Sequence, residues 1–144
     1  MMTKISILSF FIILCINLFA QDDKSTKHPI DLKMEQCLNN DSSFTTHGMI
    51  DCTLAAFDEW DKELNKYYRL LSNVLEEGAK VKLKKAQLNW LVYHDSEFEF
   101  SNEMYYDMEG TMWRVVGAGR RTDIVKARVL ELKEYFDTYT HLGK

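Results

Sequence analysis

The sequence predicts an all-α protein: three long antiparallel helices, preceded by a short N-terminal helix that a disulfide tethers. Three observations carry this. Apolar residues recur at three- and four-residue steps through Asp51–Glu77, through Met112–Tyr139 and again between them, which is helical rather than strand periodicity. Punctuation is sparse, with one Pro and six Gly in 144 residues, where an all-β domain usually needs more turns. Two cysteines, Cys37 and Cys52, stand 15 positions apart at the start of the pattern.

The length suits one domain, and 46% hydrophobic residues can build a core. A formal net charge of −4 argues against nucleic acid as a partner, since that needs a basic face. It favours cationic partners, steered most strongly at low salt.

Residues 1–20 read as a signal peptide. Lys4 precedes the apolar run Ile5–Leu14, and polarity changes abruptly after Ala20 at Gln21-Asp22-Asp23, the layout of a secretory signal. The run is short for a membrane span, which needs about 20 apolar residues, so no span is expected in the mature chain. Cleavage after Ala20 removes Cys15. The rival reading is a lipoprotein acylated on Cys15, disfavoured because Ile13 and Leu14 supply no small residue ahead of it. A periplasmic or secreted location follows. An even pair of remaining cysteines in an exported chain reads as a disulfide, and closing that loop contributes about 3 kcal/mol in the chain-entropy model. A metal site is the alternative, weakened by the absence of a neighbouring ligand pair.

Residues 21–30 are polar and charged and read as a flexible linker, leaving 31–140 as the helical domain. Asp31 can cap a short helix, Leu32–Leu38. Thr45 or Thr46 can cap a first long helix, whose stripe includes Cys52, Ala56, Phe57, Trp60, Leu64, Leu71 and Leu75, with Gly78 as its expected end. The next helix, about Ala79–Tyr105, carries Leu83, Ala86, Gln87, Trp90, Tyr93 or His94, and Phe98 on one face, widened by Val81, Leu88, Leu91 and Phe100. Its segment Lys82–Asp95 is expected at the centre of the fold, with the other long helices packed against it. Lys80, Lys82, Lys84 and Lys85 crowd its first turns, which the helix dipole disfavours; solubility and pairing with Glu76 and Glu77 are the available reasons. Glu109-Gly110-Thr111 breaks the pattern before a last helix, about Met112–Tyr139.

These residues resemble the lysozyme inhibitor LprI-like family, a domain of bacterial envelope proteins. The features are a cysteine in a short helix with a second opening the long one; Asp61-x-Glu63-Leu64-Asn65 followed by Tyr67 or Tyr68 and then Leu71; Leu83-x-x-Ala86-Gln87-x-x-Trp90-x-x-Tyr93-x-Asp95; Gly110-Thr111; and Arg128-x-x-x-Leu132. Order and spacing, over about Cys37–Leu132, carry the resemblance more than any one element. It implies an exported helical protein, with lysozyme inhibition linked to named members. Two departures stand out. The family usually has Arg at His94, and many members have a second cysteine pair at the positions of Phe98 and Gly119. Phe98 over Gly119 is expected to fill that space, so Gly119→Leu should overpack it.

No residue set reads as catalytic. No glycine-flanked serine elbow occurs, and His94 with Glu97 falls short of a metal set, which needs at least one more ligand. No cofactor is implied. Gln87, Trp90, Tyr93, Asp95 and Arg128 read as structural: Trp90 in the core, Gln87 bonding across helices and Asp95 paired with Arg128. The candidate partner contact is the acidic-aromatic stretch Glu97, Glu99, Glu103, Tyr105, Tyr106, Asp107 and Glu109, where carboxylates can steer a cationic surface and aromatics can anchor it. The plainer reading turns the aromatics inward and the acids to water. The expected function is that of an exported, non-enzymatic binding protein that blocks a basic lysozyme-type muramidase by occluding its cleft. The alternative is an envelope interaction or structural module with another protein partner.

Overall fold

In the computed structural model of the chain, residues 27–142 are described; the signal segment 1–20, Cys15 and residues 21–26 of the linker lie outside them. The described residues form four α-helices: α1 (Pro29–Leu38), α2 (Thr46–Val74), α3 (Glu77–Tyr106) and α4 (Met112–Leu142), with a 3-10 turn at Asp41–Ser43. The Cys37–Cys52 disulfide joins α1 to α2, with Cα atoms 5.7 Å apart.

Local chemistry accounts for most boundaries. Helix α1 starts at Pro29, two residues inside the expected linker, because His28 rather than Asp31 is its cap. The backbone N–H of Ile30 donates to His28 Nδ1 at 3.3 Å, and Pro29 fills the first helical position, where a missing N–H costs nothing. Asp31 is used instead in an ion pair with Lys126 of α4 at 2.7 Å. Thr45 caps α2, its Oγ1 accepting from the Gly48 N–H at 3.0 Å. Helix α2 ends before Gly78: Leu75 and Glu76 are both extended, and Gly78 lies in the first turn of α3. The α3–α4 turn contains Gly110 at φ +97°, a left-handed conformation that favours glycine.

Three contacts fix the register. Thr46 meets Thr111 at 3.0 Å between hydroxyl oxygens, Thr122 Oγ1 donates to the Thr53 carbonyl at 3.5 Å, and the Tyr67 and Phe136 rings stand 6.4 Å apart. Helices α2 and α4 therefore run parallel. Helix α3 runs antiparallel to both, with Phe57 beside Phe98 and Gln87 bonded to Arg128.

The closest pair is α2 with α4, not either of them with the segment Lys82–Asp95. Ala56, Trp60, Leu64 and Leu71 of α2 face Val125, Val129 and Leu132 of α4, and all are buried. Large side chains of one helix, Trp60 above all, interdigitate with the valines and Leu132 of the other, ridge into groove. Trp60, 0% exposed, also anchors α1: the His28 ring lies 4.3 Å from its ring, and the Lys126 ammonium 5.5 Å from its centroid. Its Nε1–H has no hydrogen-bond partner in the structure.

Helix α3 is peripheral. It buries only Leu83 and Ser101 fully. Gln87, Trp90, His94 and Phe98 turn inward and are half-buried, while Ala86, Tyr93, Val81, Leu88, Leu91 and Phe100 are exposed. The expected widened stripe does not form. Apolar residues surround α3 on several sides, and one neighbouring helix pair can cover only one of them.

Candidate functional site

The structural cluster is rearranged from expectation. Arg128, 8% exposed, donates from Nε to Gln87 Oε1 at 3.1 Å and from a terminal nitrogen to Glu131 Oε2 at 2.5 Å. Asp95 does not pair with Arg128; it lies 2.8 Å from His94 Nδ1 on the exposed side of α3. Gln87 and Asp95 are eight residues apart, and only Gln87 falls opposite Arg128 in the antiparallel register. Trp90 and His94 stack at 4.9 Å, and His94 and Phe98 at 3.9 Å, so His94 extends the aromatic ladder along the inner face. Tyr93 points out.

The Phe98–Gly119 packing does not occur. A Cβ on Gly119 would meet nothing within 4 Å. Phe98 packs on Phe57 and carries the Arg121 guanidinium 5.2 Å above its ring. The close glycine is Gly117, whose added Cβ would sit 3.4 Å from the Tyr105 ring.

The acidic-aromatic stretch does not converge on one patch. Helical rotation distributes it around the end of α3. Glu97 turns toward α4 and pairs with Arg120 at 3.2 Å. Glu99 and Glu103 lie on the outer face, and Asp107 and Glu109 are exposed at the turn. Tyr105 turns inward and lies nearly parallel to Trp113, 13° between planes and 6.1 Å between centroids. Tyr106 is 72% exposed. Tyr105, Tyr106, Trp113 and Gly117 line a cleft of about 360 Å³, together with Arg114 and Arg121. Arg121 is committed to Asn102 Oδ1 at 3.1 Å; Arg114 has no carboxylate partner among the described residues. The end of the hairpin thus mixes exposed carboxylates, aromatic rings and one free guanidinium. Trp113 and Arg114 were not anticipated as part of it. Their signal was position: they follow the Gly110 turn directly, so chain reversal brings them under Tyr105 and Tyr106.

A second groove, about 280 Å³, runs between α2 and α3 and is lined by Asp61, Leu64, Asn65, Tyr68, Gln87 and Leu88. Five of these residues carry the family resemblance. Asn65 is satisfied within its own helix, donating to the Asp61 carbonyl at 2.9 Å. Among the described residues no three His, Cys, Asp or Glu side chains are grouped to hold a metal ion, and no described helix is long and apolar enough to cross a membrane.

No curated protein matches the chain. Among solved structures, the chain is similar to an uncharacterised protein from Burkholderia thailandensis, with a TM-score of 0.76 and 29% sequence identity. The match covers 81% of this chain and 57% of that one, so the chain spans just over half its length. The family model of the lysozyme inhibitor LprI matches residues 25–132, and the chain belongs to that family.

Proposed function

We propose that this protein is an exported, non-catalytic inhibitor of lysozyme-type muramidases, acting in the periplasm or outside the cell by occluding the enzyme cleft. Family membership supports lysozyme as the partner, and an inhibitor family fits a protein that works by binding. The Cys37–Cys52 disulfide supports an oxidising compartment, as does the signal-like start of the sequence.

The observation that carries the proposed contact is the free end of the α3–α4 hairpin. Glu103, Asp107 and Glu109 are exposed there and have no cationic partner among the described residues. Beside them stand Tyr106 and the cleft over Trp113. Unpaired carboxylates steer a basic enzyme to this end, and an exposed aromatic residue supplies buried area once it docks. Glu97 contributes less, because Arg120 already neutralises it.

The test is titration of the oxidised mature protein into cell-wall lysis assays with several lysozyme types at low and moderate salt. Stoichiometric, salt-weakened inhibition is expected, and Glu103→Lys with Glu109→Lys should relieve it. The absence of inhibition at micromolar excess of folded protein, whatever the lysozyme type, would refute the reading.

A further inference from the structure

Helix α3 has its charges reversed relative to its dipole. Four lysines and one glutamate occupy residues 77–91; four carboxylates and no Lys or Arg occupy 92–106. Cations near a helix N-terminus and anions near its C-terminus both oppose the macrodipole. The neighbouring helices compensate for this only at Glu97 among the described residues. Lys80 approaches Glu77 at 3.9 Å, and Glu97 meets Arg120, but Lys84, Lys85, Glu99 and Glu103 have no ion-pair partner among the described residues. The same helix presents an outer apolar row. Val81, Leu88 and Val92 lie on one face by their seven- and four-residue spacing, and all are exposed, Val92 to 68%. Lys85, Glu99 and Glu103 share that face.

We propose that this face binds a second copy of the chain, with the two α3 helices packed antiparallel about a two-fold axis near Val92. A two-fold contact must be self-complementary, and this face is. The midpoint of α3 falls between Leu91 and Val92. Centring the axis next to it, on Val92, lays the lysine half of one helix along the carboxylate half of the other. Val92 meets its own symmetry mate, Leu88 packs beside it, and Lys85 comes opposite Glu99 of the second copy. Two free cation–anion sets are thereby paired around an apolar centre. At 1.5 Å rise per residue, Tyr106 lies about 21 Å from the axis, so each hairpin end lies beside the start of α3 in the other copy, and dimerisation competes with partner docking at Glu103 and Tyr106.

Sedimentation equilibrium of the oxidised mature protein at low salt tests this. A dimer at tens of micromolar is expected, weakening as salt rises. Val92→Lys places like charges on the axis and should give a monomer with unchanged circular dichroism and, below the dimerising concentration, an unchanged melting temperature, since Val92 is exposed in the single chain. Lys85→Glu and Glu99→Lys should each weaken dimerisation by about 100-fold, because each sets two like-charge pairs against one another. The double swap, Lys85→Glu with Glu99→Lys, should restore the dimer. A wild-type chain that stays monomeric at hundreds of micromolar overturns the proposal. So does a dimer indifferent to Val92→Lys, or a double swap as weak as its parents.

Discussion

Arg128 is a buried polar tie between the peripheral helix and the packed pair, and its removal has a cost that its two partners set. Two of its hydrogen bonds matter differently. Glu131 is 45% exposed on its side chain, so its carboxylate rehydrates when the guanidinium is lost and the pair contributes little. Gln87 is half-buried and takes the Nε bond across the α3–α4 interface at 3.1 Å. A hydrogen bond to a charged group contributes about 1.5–3 kcal/mol. Arg128→Met keeps most of the apolar stem and removes both bonds, so its expected cost is about 2–3 kcal/mol. Gln87→Leu strands the guanidinium on one side and should cost a similar amount. The double variant leaves no orphaned polar group and should cost clearly less than the sum of the singles. The assay is a double-mutant cycle by urea unfolding at neutral pH, with a coupling energy of about 1.5 kcal/mol or more expected. Coupling below about 0.5 kcal/mol would show that Arg128 acts through solvent and Glu131 alone, and that α3 is held by apolar packing without this bond.

Further outcomes follow from other parts of the structure. Replacing Cys37 and Cys52 by Ala should lower unfolding stability by about 3 kcal/mol in the chain-entropy model, with α1 protection lost first in hydrogen exchange. Gly117→Leu should collide with Tyr105 and cost about 1–3 kcal/mol, whereas Gly119→Ala, in open space within α4, should stabilise by about 0.5–1 kcal/mol through helix propensity; thermal melts of the two distinguish them. The Tyr135 hydroxyl donates to Glu131 at 3.1 Å, and that bond to a carboxylate holds the phenol above the usual tyrosine range. Because the folded value is raised, the contribution is present below the unfolded pKa and lost as pH rises through the folded one. Titration of Tyr135 followed by NMR should therefore show it ionising above the usual tyrosine range, and Glu131→Gln should bring it down.

Much of this architecture was readable along the chain. The Thr45 cap, the glycine turn at Gly110 and the 15-residue cysteine spacing are local signals, and each appears where its chemistry requires. The helix breaks were harder. Gly78 carries a strong end signal, yet the break falls at Leu75-Glu76, because two extended residues suffice to reverse the chain and glycine is tolerated within a first helical turn. The candidate site was half legible: Tyr105 and Tyr106 were named, while Trp113 and Arg114 enter only when the hairpin folds back.

The sequence by itself determined that the chain is helical, how many long helices it forms and which cysteines join. Those features rest on periodicity, capping and spacing within a few residues. Tertiary structure alone decided that α2 and α4 form the tight parallel pair, that His94 rather than Tyr93 faces inward, and that Arg128 meets Gln87 instead of Asp95. Helix α3 carries apolar residues on several sides, so its own pattern does not select one. The selection is made by the seam between α2 and α4, where Trp60, Leu64, Val129 and Leu132 are buried, and which leaves α3 one shallow interface to bury and a charged, apolar face uncovered.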